Sequence, residues 1–310
     1  MGRASSKFER DEREAASAAD QRAAREEREL IGSAEPAWVR IFAERLSEPL
    51  HLNLLSMVVG IFGSFRARVA FDVVRRRHYA ASLLRAADQA RHYGIGSITA
   101  AEFGVSSGTG LTNLARLAVQ VSRATGVSIK VFGFDSGSGL PPPRDYRDHP
   151  ELFRAGDFAM DIGKLRRTLP PNAELMLGDI ADTALEFRSR IGAESPLAFA
   201  AIDVDYYSSA RDALAIFADP DALKYAPLPI VYLDDVIDEM HNAWCGELLA
   251  VNEFNAAHRM RKIEVDRFLR SRRIFKHARW IEQIYLVHVL DHPALQTVSL
   301  GRPSFISARR

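Results

Sequence analysis

Residues 98–110 read Ile98-Thr99-Ala100-Ala101-Glu102-Phe103-Gly104-Val105-Ser106-Ser107-Gly108-Thr109-Gly110. Ile98 to Phe103 is an apolar run of strand length, interrupted by one carboxylate. It stops at Gly104, and a loop of small residues carrying Gly108 and Gly110 then feeds a helical pattern from Leu111 to Val121. A strand, a glycine turn and a helix in this order open a doubly wound α/β domain, whose ligands lie beyond the carboxyl ends of the strands. Glycines there admit positive φ and let backbone amides approach a ligand closely.

The spacing is Gly-x-x-x-Gly-x-Gly, which differs from the Gly-x-Gly-x-x-Gly of a dinucleotide site. Glu102 stands two residues before the first glycine, where a carboxylate faces a cationic ligand and repels an anionic pyrophosphate. S-Adenosylmethionine, with its sulfonium and its ammonium, suits such a turn. A plain strand-to-helix turn with no ligand is the alternative. The candidate cofactor contacts in this stretch are Glu102, Gly104, Ser106, Gly108 and Thr109.

Further along, apolar runs alternate with helical patterns, as in a parallel sheet with crossover helices. The expected strands are 98–103, 129–134, 174–177, 197–202 and 229–233, and a late strand at 283–290 closes the sheet. The fold class is therefore α/β, a mostly parallel, doubly wound Rossmann-like sheet over 97–310. Between the second strand and its helix lies Gly137-Ser138-Gly139-Leu140-Pro141-Pro142-Pro143 and then an aromatic, charged loop to Phe158. Long loops at the carboxyl edge commonly carry function.

Each expected strand end carries acids. Asp135 follows the second strand, 31 residues after Gly104. Its two oxygens match the vicinal diol of a ribose; with Ser136 it is a candidate cofactor contact, or else a helix cap. Asp179 and Ile180 follow the third strand, near where an adenine would lie, and Asp179 or Asp182 could equally cap the next helix. Asp203 and Asp205 end the fourth strand, and Asp234 and Asp235 end the fifth. If those two strands are neighbours, about 5 Å apart, Asp203, Asp234 and Asp235 present three carboxylates to one point. A hard divalent cation, Mg²⁺ above all, relieves the repulsion. The other reading has Asp235 capping a helix and Asp205 in solvent. Asp203, Asp205 and His241 are the candidate proton acceptors.

The amino-terminal third is different. Residues 1–35 are rich in Ala, Arg and Glu, with opposite charges close together, and read as a charged, disordered tail, with an assembly segment as the alternative. Residues 36–96 read as helical, with Trp38, Ile41, Phe42 and Leu46 at core spacing before Pro49. Leu50 to Phe65 is apolar on nearly all sides, so either the main domain or the same segment of a second copy must cover it, and the second copy is the expected one. The run Arg75-Arg76-Arg77-His78-Tyr79 reads as a solvated helix start or as part of a lid. The single cysteine, Cys245, excludes an intrachain disulfide or a cysteine-rich zinc site and reads as a helix-face packing residue. With 41 basic and 40 acidic side chains, bulk charge favours neither nucleic acid nor an anionic membrane as partner. The start of the chain lacks the apolar core of a secretory signal, and 50–65 is too short and interrupted to span a bilayer, so a soluble cytoplasmic protein is expected.

Taken together, Glu102-Phe103-Gly104-Val105, Gly133-Phe134-Asp135-Ser136 with Gly139-Leu140-Pro141, Asp203-Val204-Asp205-Tyr206-Tyr207-Ser208-Ser209 with Arg211-Asp212-Ala213-Leu214, and Asp234-Asp235 resemble the macrocin O-methyltransferase family. The resemblance spans about residues 98–255. It implies a class I methyltransferase fold, S-adenosylmethionine as donor, a divalent metal at Asp203, Asp234 and Asp235, and a hydroxyl of a small molecule or glycoside as acceptor, family members acting on sugar hydroxyls of glycosylated natural products. Two positions depart from the pattern. Tyr206 stands where some members carry a histidine, and Val236 follows the final acid pair where an aromatic is common. A metal-independent methyltransferase and a non-catalytic S-adenosylmethionine-binding protein are the alternatives; a nicotinamide dehydrogenase is disfavoured by the glycine spacing and Glu102.

Overall fold

The computed structural model describes residues 37–238 and 240–296; the charged stretch 1–35 and the side chain of Trp38 lie outside what it describes. Seven strands form one sheet: β1 Ser97–Phe103, β2 Ser128–Asp135, β3 Ala173–Leu177, β4 Leu197–Ile202, β5 Tyr225–Leu233, β6 Arg261–Val265 and β7 Ile284–Val289. Their order across the sheet is β3-β2-β1-β4-β5-β7-β6. The first five are parallel, and β7 runs antiparallel to both β5 and β6. The order reverses between β1 and β4, which is where a doubly wound sheet opens its ligand crevice. All six expected strands are present. β6, the edge strand beside β7, reads as a charged loop in sequence because only Arg261 and Ile263 of its five residues are buried.

The helices are α1 Ala37–Leu46, α2 Leu50–Phe62, α3 Phe65–Ala70, α4 Arg77–His92, α5 Thr109–Thr125, α6 Ile162–Thr168, α7 Ile180–Arg190, α8 Tyr207–Leu214, α9 Gly246–Ala257, α10 Leu269–Arg272 and α11 Pro293–Gln296. One face of the sheet buries Tyr79 and Leu83 of α4 and Leu111, Leu114 and Leu117 of α5 against Ile98, Ala100 and Phe199. The other buries Phe187 of α7, Leu214 of α8 and Phe254 of α9 against Phe103, Phe134 and Ile202. Central strands covered on both sides must be apolar throughout, and β4 is buried at every position.

The chain divides into two compact units, 1–47 and 48–310. The break thus falls ahead of α2, and α4 belongs with the sheet. In the first unit, Ile41, Phe42 and Leu46 of α1 are exposed, contrary to the core role their spacing suggests. A helical period marks one face but not what covers it. In the second unit α2 exposes Leu50, Leu54, Leu55, Met57, Val58, Ile61 and Phe62. No helix among the described residues is long and apolar enough to cross a membrane.

His78 and Tyr79 form neither a solvated helix start nor a lid. Tyr79 is fully buried, and the His78 ring stacks on Tyr232 of β5 with centroids 4.4 Å apart. Burial, helped by Arg76 and Arg77, pushes the His78 imidazole down to about 3, so it packs as a neutral ring. Cys245 sits half-buried one residue ahead of α9, at its cap position, so the helix face is not its place.

Candidate functional site

Beyond the carboxyl ends of β1, β2, β3 and β4 lies a cavity of about 570 Å³. Its floor is the turn after β1. Gly104 has φ 84, and a Cβ there would overlap the Asp203 carbonyl oxygen, so the turn and the end of β4 approach closely only because the side chain is absent. At Gly110, in the first turn of α5, a Cβ would overlap the Glu102 carboxylate. Gly110 is therefore the residue that lets Glu102 lie beneath a helix N-terminus. Gly108 does a different job: it precedes α5 with φ 78, lies against Leu165 of α6, and does not line the cavity.

Glu102 lines the cavity with its side chain almost wholly sequestered, and its Oε2 is buried without a hydrogen-bond partner. Burial pushes its carboxyl up to about 8, against an opposing pull from Arg76. A buried acid lacking a protein partner is costly, and it marks where a ligand donor belongs.

Asp135 accepts from two backbone amides, Ser106 to Oδ2 at 2.8 Å and Gly137 to Oδ1 at 2.6 Å. It ties the glycine turn to the end of β2 and is half-exposed at the cavity wall, with a lone pair left on each oxygen. It caps no helix. Asp179 does: its side chain accepts from Ala181 N at 2.9 Å at the start of α7, while it and Ile180 line the cavity. Ser106, Thr109 and Ser136 line it as well.

The acids at the ends of β4 and β5 are neighbours. The pairing of Ile202 with Leu233 places Asp203 beside Asp234, and the Asp234 amide donates to the Ile202 carbonyl at 3.1 Å. Burial first, then Asp234, Asp235, Asp205 and Glu102, hold the Asp203 carboxyl well above the ordinary range. Burial and Asp234 push Asp205 up to about 7, and burial and Asp205 push Asp235 up to about 8. Asp205 has φ 58 and stands at the centre of a three-residue turn closed by Tyr206 N to Val204 O, a strained placement for a residue with a side chain. It faces the cavity, not bulk solvent.

The three expected metal ligands do not form a cage. Among the described residues no three His, Cys, Asp or Glu side chains are arranged to hold a metal ion. Of the trio only Asp203 lines the cavity. The Asp234 carboxylate takes the Tyr232 hydroxyl and lies 3.4 Å from Gln283 Nε2, which also donates to the Asp234 carbonyl at 2.7 Å. Asp235 turns toward His241, whose Nε2 is 3.8 Å from Oδ1, and its Oδ2 is buried without a partner. Asp235 is not a helix cap, since α9 begins eleven residues later, after Cys245. The donor chemistry still suits a hard cation: oxygen donors, crowded like charge and an unpaired buried oxygen.

His241 does not line the cavity. It lies behind Asp235 with its ring 5.6 Å from that of His149, and burial, then His149, lowers its affinity for protons. It is therefore not placed to touch a substrate in the cavity, unlike Asp203 and Asp205. Glu247, in the first turn of α9, is fully buried and accepts from the Asp235 amide at 3.1 Å.

Several wall residues lie outside the expected set. Arg76, Arg144, Phe158, Ser208, Ser209 and Asp212 line the cavity. Asp148 supports it from behind, accepting from Arg144 N and Ser208 N at 2.9 Å each, and so fixes the loop after β2 to the start of α8. The signals in sequence were a basic run for Arg76, an over-long loop for Arg144, Asp148 and Phe158, and the motif after the fourth strand for Ser208, Ser209 and Asp212.

No family model matches the chain, and no curated protein matches it. Among solved structures it is similar to the O-methyltransferase NovP, at 22% identity over 58% of this chain and 72% of that one, with a TM-score of 0.43. It is similar to the calicheamicin methyltransferase CalS11 at 20% identity, over 66% of this chain and 83% of that one, TM-score 0.44. To the mycinamycin-pathway methyltransferase MycE, solved with Mg and SAH, the identity is 12%, over 64% of this chain and 47% of that one, TM-score 0.36.

Proposed function

We propose that the protein is a methyltransferase that moves a methyl group from S-adenosylmethionine to a hydroxyl of a small molecule, with a divalent cation, Mg²⁺ by preference, held at Asp203, Asp234 and Asp235. The observation that carries this reading is Glu102. It is a buried carboxylate with an unpaired oxygen on the floor of a cavity at the sheet's reversal point, which suits a donor bearing positive charge.

The donor would supply a methyl group made electrophilic by its sulfonium, and the cation would hold the acceptor oxygen and lower the pKa of its hydroxyl. The chain's own residues would do the rest. Glu102 holds the donor's ammonium. Asp135 offers one free lone pair on each oxygen to a ribose diol, with its carboxylate already oriented by Ser106 and Gly137. Ile180 supplies an apolar surface beside the cap of α7, where an adenine lies. Asp203 and Asp205 face the cavity with raised proton affinity, and Asp205, at about 7, suits the role of accepting the hydroxyl proton near neutral pH. The macrocin-type motifs direct the acceptor class to a sugar hydroxyl, and the cytoplasm is the compartment that supplies the donor.

Isothermal titration of S-adenosylhomocysteine, with and without Mg²⁺, tests the reading. Micromolar binding that Glu102→Gln abolishes supports it, and no binding in either condition rejects it. The scattered aims of Asp234 and Asp235 favour one second reading, a metal-independent methyltransferase. Methyl transfer unaffected by EDTA would establish that one instead.

A further inference from the structure

Among the described residues Arg76 is the one half-buried cation in the cavity wall, since Arg144, the other arginine there, is exposed. It lies just ahead of α4 with φ 47, a left-handed conformation that a side chain adopts only under constraint. The constraint is visible: its guanidinium lies over the ring of Tyr79, 5.2 Å from the centroid, and Tyr79 is fully buried against Phe199 and Tyr232. The core thus holds the head group in place.

Among the described residues that guanidinium makes no hydrogen bond and no ion pair. Yet two acids, Glu102 and Asp203, line the same cavity and strengthen its hold on its proton. Arg76 pulls the Glu102 carboxyl toward its charged form, though no hydrogen bond or ion pair joins the two. A half-buried guanidinium and a buried carboxylate in the wall of one cavity, each lacking a hydrogen-bond partner, describe a receptor for a group that carries both charges on a single carbon. A phosphate or a plain carboxylic acid would gain Arg76 but meet Glu102 and Asp203 as like charges. A plain amine would gain Glu102 and meet Arg76. An α-amino acid end satisfies both, because its ammonium and carboxylate stand on one carbon.

We infer that Arg76 binds the α-carboxylate of the methyl donor while Glu102 takes its α-ammonium, so that the cavity reads the donor by its zwitterionic end. This rests on the methyltransferase reading above. It adds a residue from outside the region where the family resemblance runs, and it makes the segment ahead of α4 part of the donor site.

The test uses the full-length protein and two ligands, S-adenosylmethionine and its decarboxylated form, which keeps the sulfonium and the amine but lacks the carboxylate. Wild type should bind the intact donor more tightly. Arg76→Met should weaken the intact donor roughly ten- to hundred-fold, the usual cost of a lost charged hydrogen bond. It should leave the decarboxylated form within about three-fold, which also shows that the cavity is intact. Arg76→Lys, which keeps the charge but not the planar fork, should fall between. Arg75→Met, at an exposed neighbour, should change neither. Equal affinity of wild type and Arg76→Met for the intact donor overturns the assignment, as does an equal loss for both ligands. Failure of wild type to bind either ligand overturns the donor reading itself, and is distinguishable because it needs no variant.

Discussion

Glu102 is the residue on which the chemistry of the cavity turns, and its environment makes two opposite demands. The fold sequesters it without a hydrogen-bond partner for Oε2, which favours the protonated acid; a cationic ligand favours the carboxylate. Its proton affinity rises from an ordinary value of 4.5 to about 8, so the folded protein binds more protons than the unfolded chain between those pH values. Stability should therefore decline as pH rises through that window, by roughly 1.4 kcal/mol per pH unit at most from this group. Glu102→Gln should remove this group's share of the decline, beside the shares of Asp203, Asp205 and Asp235, and is read as a flatter dependence of the thermal midpoint on pH. Donor affinity should show the reverse slope, strengthening as pH rises toward 8, and the same variant should flatten it in calorimetric titration. Gly110→Ala should disturb this residue alone, since the added methyl meets the Glu102 carboxylate, and about a ten-fold or greater loss of donor binding is expected. These positions were legible in sequence because a turn between strand and helix leaves few places for a carboxylate and glycines to go. The roles of the glycines were not, since Gly108 and Gly110 look alike until Leu165 and Glu102 are seen against them.

Among elements, the strands were the most readable and the loops the least. Buried parallel strands need apolar residues on both faces, so β1, β4 and β5 announce themselves as runs. An edge strand such as β6 needs few, and its Arg-Lys-Ile-Glu-Val pattern carries almost no signal. The acids at the strand ends were legible as positions but not as directions. Register alone puts Asp203 beside Asp234, whereas the aim of Asp234 depends on Tyr232, two residues earlier on the same face, and on Gln283, which is distant in sequence. The long loop after β2 could be seen to be unusual, but its anchor could not. Asp148 joins that loop to α8 by two hydrogen bonds, from the half-buried Arg144 amide and the buried Ser208 amide. Asp148→Ala should leave both donors unsatisfied and cost about 2–4 kcal/mol of stability, seen in chemical denaturation. Asp148→Asn, which keeps one acceptor oxygen, should cost less.

For the molecule as a whole, the sheet and its helices account for the cavity, but not for α2. Its thirteen residues include no Asp, Glu, Lys or Arg, and seven large apolar side chains are exposed along it. We propose that a second copy of the chain covers this face, as the sequence led us to expect. Light scattering should then give a dimer mass for the wild type, and Leu54→Glu with Ile61→Glu should give a monomer that still binds donor. A monomeric wild type would refute the pairing. A seam without charges has a further physical signature. Contacts of this kind draw their strength from water released by hydrocarbon, which weakens on cooling and strengthens in sulfate. The assembly should accordingly loosen near freezing, tighten with warming toward room temperature, and ignore the modest additions of sodium chloride that would dissolve an ion-paired one.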